Sequence, residues 1–210
     1  DLNPTLLDCD WREECTFDRE REAVRSRRVR RWGAIVIEEQ PCAQRHTAEA
    51  IGKVLADAAR PHVDRLFPET DDYGLLLARL RYAARVRPGS PWPDWIECPS
   101  RLLDEWCFGR RSFAELRKMD LAQDLMARLP HDLRSALSTV APPTMRVPSG
   151  ALIRLAYPAG KPPVLAARIQ QLFGLMKTPK LGGAPITVHL LAPNNRPAQV
   201  TQDLESFWAS

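Results

Sequence analysis

The chain has 210 residues, 44% of them hydrophobic and 27% charged, with a formal net charge of +4. That length suits one large domain or two small ones, and the apolar fraction is too high for a disordered chain. No run of roughly eighteen apolar residues is present to span a membrane, and the polar opening Asp1-Leu2-Asn3-Pro4 does not read as a signal peptide. The first residue is not Met, as expected for a piece of a longer protein. The five cysteines (Cys9, Cys15, Cys42, Cys98 and Cys107) are odd in number and form no C-x-x-C pair. They are expected as reduced thiols in a cytoplasmic protein rather than as a disulfide framework or a zinc site.

Residues 1–40 are expected to be β. Segments 9–17, 23–32 and 34–39 carry Val, Ile, Trp and Thr, which suit a pleated surface. Gly33 is expected to break the second run from the third. Three short antiparallel strands do not make an independent domain, so they look like part of a larger sheet or an OB-like barrel.

Residues 41–140 are expected to be helical. Thr47 is placed to cap a helix with Ile51, Val54, Leu55 and Ala58 at helical spacing. Asp71 or Asp72 is expected to cap a second helix carrying Leu76, Leu80, Ala83 and Val86, stopped by Pro88-Gly89. Ser100 and Ser112 precede short helical patterns, and 120–129 and 132–140 supply two more.

Residues 141–210 read as a small β-β-α-β-α unit. Strands over 144–147 and 151–157 flank Pro148-Ser149-Gly150, which has hairpin chemistry. Pro163 suits the first turn of a helix over 163–173, with Leu165, Ile169, Leu172 and Phe173 as its apolar stripe and Gly174 as its C-cap. Alternating Ile186, Val188 and Leu190 predict a strand, Asn194-Asn195 a turn, and Thr201 the cap of a last helix ending in Phe207-Trp208. The whole is an α+β chain divided at about residues 40 and 140.

Charge is unevenly spread. Residues 19–31 hold seven arginines against Glu20 and Glu22, and residues 141–210 hold seven basic side chains against Asp203 and Glu205. Each zone is +5, a pattern that favours a polyanion. The candidate contacts are Arg25, Arg27, Arg28, Arg30 and Trp32 in the first zone, with Trp32 as a stacking surface. In the second they are Arg146, Arg154, Lys161, Arg168 and Arg196. The competing expectations are a solvated, aggregation-resistant strand edge for the first zone and a structural Arg168–Asp203 pair in the second.

Catalytic chemistry has no obvious seat. A phosphate loop needs Gly-Lys followed by Ser or Thr, but Gly52-Lys53 and Gly160-Lys161 are followed by Val54 and Pro162. Asp104-Glu105 is followed by Trp106-Cys107, not by x-His. The four histidines have no paired spacing, and the adjacent carboxylates on strands point to opposite faces.

Three phrases occur in order: MRVPSG (145–150), PPVLAARIQQLFG (162–174) and VHLLAPNNRPAQVTQDLESFW (188–208). Together they resemble the C-terminal region of HrpB-type bacterial DEAH-family ATP-dependent helicases. The resemblance is specific over residues 130–208 and looser before them. It implies an accessory region after two RecA-like motor domains, with ATP and Mg²⁺ bound in those motors and no cofactor in this chain. It implies single-stranded RNA or another nucleic acid as a partner, with contact to the RecA-like motor domains, or else a protein-interaction module docked on the motor or on another protein.

Overall fold

A computed structural model describes residues 11–32, 34–42, 46–192 and 196–209. In chain order the strands are β1 (Arg12–Asp18), β2 (Ala23–Trp32), β3 (Ile35–Pro41), β4 (Thr144–Arg146), β5 (Leu152–Ala156), β6 (Val164–Arg168), β7 (Lys180–Leu181), β8 (Ala184–Pro185), β9 (Thr187–Leu191) and β10 (Pro197–Thr201). The helices are α1 (Ala48–Ala59), α2 (Val63–Leu66), α3 (Asp71–Val86), α4 (Leu103–Cys107), α5 (Phe113–Arg117), α6 (Leu121–Arg128), α7 (His131–Val140) and α8 (Leu204–Ala209). The α+β class expected from the sequence is what the chain adopts. No helix among the described residues is long and apolar enough to cross a membrane.

The chain forms two compact units. The first comprises Asp1–Pro68 and Cys98–Met119, the second Glu69–Glu97 and Asp120–Ser210. In unit 1, β1, β2 and β3 make an antiparallel sheet in that order. Among the described residues it is an open three-stranded sheet and not a closed barrel. The β1–β2 pairing runs from Arg12 opposite Val29 to Asp18 opposite Ala23, and a bulge interrupts β2–β3 between Arg30 and Arg31. All of β3 is exposed. Thr47 caps α1 as its residue type predicts, its Oγ1 accepting from the Ala50 N–H at 3.1 Å. A Cβ on Gly52 would stand 3.1 Å from the Cys107 carbonyl, so glycine lets α1 approach α4 closely. Beneath lie Leu55, Trp106 and Phe113, with Phe67 packed edge-on to Trp106 and Phe17 against Phe113. Ser112 caps α5, its Oγ accepting from the Glu115 N–H.

In unit 2, α3 packs against α6 and α7. Asp120 caps α6 by accepting from the Gln123 N–H at 2.9 Å. At α3 the expected cap differs: Thr70 holds the N-cap position, and Asp71 and Asp72 lie in the first turn, where carboxylates complement the helix dipole. The five-stranded sheet runs β10-β9-β6-β5-β4 and is antiparallel except where β6 and β9 pair in parallel. Leu155, Leu165, Ala167, Val188 and Leu190 fill its covered face.

Further expectations for this unit are corrected. Residues 163–173 do not form a helix: Val164–Arg168 is strand β6, and only Ile169–Leu172 turns, as a 3-10 helix. Pairing with β5 and β9 buries Leu165 and Ala167 at a period of two, and this overrides the helical spacing. Phe173, expected on the apolar stripe, is exposed. Gly174 does take the left-handed conformation expected after a turn, with φ 91°. The cap of α8 is Asp203, whose carboxylate accepts from the Ser206 N–H at 3.1 Å, while Thr201 Oγ1 accepts from the Asp203 N–H. The connection from β6 to β9 carries the β7–β8 hairpin after that 3-10 turn. That hairpin is held by the Tyr82 hydroxyl, which donates to the Leu181 carbonyl at 2.7 Å. The expectations for Cys9, Gly33 and Asn194-Asn195 lie outside the described residues.

Candidate nucleic-acid interface

The hairpin of β1 and β2 places the arginine run on two faces. Successive strand residues point to opposite sides, and directly paired residues share a side. Arg25, Arg27, Val29 and Arg31 therefore face one way, and Ser26, Arg28, Arg30 and Trp32 the other. The same pairing brings the acids of β1 and β3 onto them. Over residues 11–42, eight arginines meet seven carboxylates, so the linear basic zone is almost neutral once the sheet forms.

The two faces differ in how tightly those charges are engaged. On the odd-numbered face Arg31 grips Glu14 with two hydrogen bonds, Nε to Oε1 at 2.8 Å and Nη2 to Oε2 at 3.1 Å. Arg27 adds contacts of 2.8 Å to Glu39 and 3.6 Å to Glu14. The hydrogen bond from Arg31 holds the Glu14 carboxyl below its usual range. On the even-numbered face the carboxylates stand farther off: Arg28 is 4.0 Å from Glu13 and Arg30 is 3.7 Å from Glu38. Both guanidinium carbons lie 5.7 Å from the centroid of the Trp11 ring, within cation–π range. Trp32 is 59% exposed at the end of the hairpin. This face therefore offers two aromatic rings beside the guanidinium groups of Arg28 and Arg30.

Trp11 is a residue that sequence reasoning missed. The loop over 19–22 sets the register that puts Arg12 opposite Val29, and with it Trp11 beside Arg30. The hairpin loop length was the one signal that pointed to it.

In the second basic zone the sheet separates the candidates. Arg168 ends β6 opposite Leu191, and the Ala192 N–H donates to the Arg196 carbonyl. Arg146 faces Leu152 at the start of β5, and β5 runs antiparallel to β6. Arg146, Arg168 and Arg196 thus gather at one end of the sheet, near the Pro148-Ser149-Gly150 hairpin. Lys161 precedes β6 at the other end. Arg154 lies between and makes an exposed pair with Asp72 at 3.1 Å. The Arg146 guanidinium donates to the Gly150 carbonyl, and the Arg168 N–H donates to Gln171 Oε1. The Asp203 carboxylate, one expected partner of Arg168, is held low by Ser206, which donates from both its hydroxyl and its N–H. Phe207 and Trp208 are half-buried, the Trp208 indole N–H donating to the Leu175 carbonyl at 2.9 Å.

Burial pushes the Cys107 thiol up to about 12, so it stays protonated at neutral pH. Among the described residues no cluster of histidine, cysteine and carboxylate side chains could hold a metal ion.

The comparisons with known proteins agree on one family. A model described as the ATP-dependent helicase C-terminal region matches residues 102–210, just over half of the chain. The ATP-dependent RNA helicase HrpB of Escherichia coli (strain K12) is 29% identical over 184 residues, 84% of this chain and 22% of that protein. The crystal structure of the E. coli DExH-box NTPase HrpB superposes with a TM-score of 0.73 at 26% identity, covering 99% of this chain and 26% of that one. A second, of the Escherichia coli DEAH/RHA helicase HrpB, gives a TM-score of 0.69 at 24% identity over 96% of this chain and supports the fold. The chain spans about a quarter of the length of the relatives it matches.

Proposed function

Since this chain belongs to the ATP-dependent helicase C-terminal family of the HrpB type, we propose that it is a non-catalytic accessory region that contacts single-stranded RNA for an upstream RecA-like motor. ATP and Mg²⁺ are bound, in this reading, by the motor. The observation that carries it is the even-numbered face of β2, where the Arg28 and Arg30 guanidinium groups stand over the Trp11 ring beside the exposed Trp32. Single-strand binders join a cationic track to aromatic platforms, because every base has a π-face and every linkage a charge. The chain has its own reason to use this face, since Arg31 on the odd-numbered face is committed to Glu14 by two hydrogen bonds.

The test is fluorescence anisotropy of a labelled oligouridylate with this chain across a salt series. Binding is expected to weaken as salt rises, and Trp32→Ala to weaken it about tenfold through the loss of one stacking surface. Arg28→Glu is expected to weaken it as well. Salt-independent binding, or no effect of either substitution, overturns the reading.

A second reading rests on the apolar end of the same hairpin, where Ile35 is 62% exposed beside Val36 and Ile37. Such a surface suits protein contact. If Ile37→Ser releases the region from the motor while Arg28→Glu leaves RNA binding intact, docking is its role.

A further inference from the structure

Unit 1 holds a groove of about 1150 Å³ that joins two arginines of the first basic zone to one outside it. It lies along the edge of β2 that β3 leaves uncovered. On one side of the gap the Cys42 N–H donates to the Ser26 carbonyl at 3.3 Å; on the other the Val24 N–H donates to the Arg111 carbonyl at 2.7 Å. Between these two closures the groove is lined by Arg25, Arg27 and Arg111, with the hydroxyls of Thr16 and Ser26 and the carboxylates of Asp18 and Glu39. Sequence reading passed over Arg111, because it is 80 positions or more from the arginine run.

Cation and acceptor do not balance in this groove. Arg25 stands 3.4 Å from Asp18, and Arg27 donates to Glu39 at 2.8 Å. Among the described residues the Arg111 guanidinium has no carboxylate partner, and Arg27 keeps a buried Nε–H with no acceptor. A buried donor without an acceptor is a hydrogen bond unmade, so Arg27 is held less fully than Arg31. Guanidinium groups present N–H donors in a fork that matches phosphate oxygens. Arg111 is held in place through its main chain: its carbonyl accepts from Val24 and its N–H donates to Glu115 Oε2 at 2.7 Å. Its side chain is therefore spared for a ligand.

We infer that this groove is a phosphate site, in which Arg25, Arg27 and Arg111 take a phosphodiester of a single-stranded nucleic acid. The inference rests on the reading above for the nature of the ligand but uses a different surface and a different residue, Arg111. The same phosphate chemistry is carried by free nucleotides, and the test separates the two sources.

The experiment uses this chain with ¹⁵N-labelled arginine. The Arg27 and Arg111 Nε–Hε resonances are followed while oligouridylate, or uridine monophosphate, is added. Both resonances are expected to shift with the oligonucleotide at concentrations where the mononucleotide shifts neither. Arg111→Ala is expected to lower the salt slope of oligouridylate binding by about 0.7, one phosphate's worth on a single strand. Lys118→Ala, an exposed cation of equal charge outside the groove, leaves the slope unchanged. Arg25→Gln repeats the test should Arg111→Ala fail to fold. Equal slopes for wild type and Arg111→Ala overturn the inference, as does saturation by the mononucleotide alone. Loss of binding in Arg28→Glu with Arg111→Ala unaffected leaves the proposed function standing and removes the groove. Loss in Arg111→Ala with Arg28→Glu and Trp32→Ala unaffected keeps the groove and removes the aromatic face.

Discussion

The sheet of unit 1 is covered in charge and that of unit 2 is filled with leucine. In β1, β2 and β3 the only buried hydrophobic residues are Val24 and Val29, and cross-strand pairs such as Arg31–Glu14 and Arg27–Glu39 line the surface. In unit 2, Leu155, Leu165, Val188 and Leu190 are almost wholly removed from water, and the cations are attached to a sheet that does not need them. A basic segment in a sequence therefore means different things in the two places. In unit 1 the arginines of β2 meet acids on the neighbouring strands, and what they offer a ligand is whatever those acids leave unengaged. In unit 2 the charge is an addition to an apolar scaffold.

Three substitutions sharpen that contrast, each read by amide hydrogen exchange so that the units report separately. Leu190→Ala removes a fully buried side chain from the unit 2 sheet and is expected to cost that unit about 2–5 kcal/mol. A loss confined to unit 1 would break the comparison. Glu14→Gln is expected to have a smaller effect, felt in unit 1 and dependent on pH. The folded-state pKa of Glu14 lies below its ordinary value of 4.5, so its stabilisation is full above that value and is lost as the pH falls through the lowered one. The variant should therefore lose protection at neutral pH and show a shallower acid limb than wild type. An unchanged acid limb would mean that the charge network is ornamental. Arg154→Ala removes a pair whose side chains are 57% and 86% exposed, and its effect on unit 2 is expected to stay within about 0.5 kcal/mol.

The same contrast explains what could be read in advance. Thr47, Ser112 and Asp120 announce their helices because capping is a local transaction between a side-chain oxygen and an N–H three residues on. The strands 144–146 and 152–156 follow from Gly150, whose φ of 86° turns the chain between them. Segment 164–168 reads as helix in the sequence and forms a strand because Val-Leu-Ala-Ala-Arg satisfies both periods, and the choice is made by β5 and β9, which lie elsewhere in the sequence. The candidate interface was legible to the same degree. Arg28, Arg30 and Trp32 could be named from the run itself. Their separation from Arg27 and Arg31, and the contributions of Trp11 and Arg111, depend on register and on a distant loop. Charge counted along the chain overstated the basic character of residues 19–31, because Glu13, Glu14, Glu38 and Glu39 join them only across the strands.

The exposed strand β3 has a practical consequence for anyone handling this chain. Its second half, Glu38-Glu39-Gln40-Pro41, carries the charges and the proline by which native sheets keep their edges from recruiting strangers. Its first half, Ile35-Val36-Ile37, has neither, and is β-prone, apolar and open to water. Concentrated samples should therefore be expected to stick to one another along that half of the strand, and a lysine at position 37 is the change that would keep them in solution.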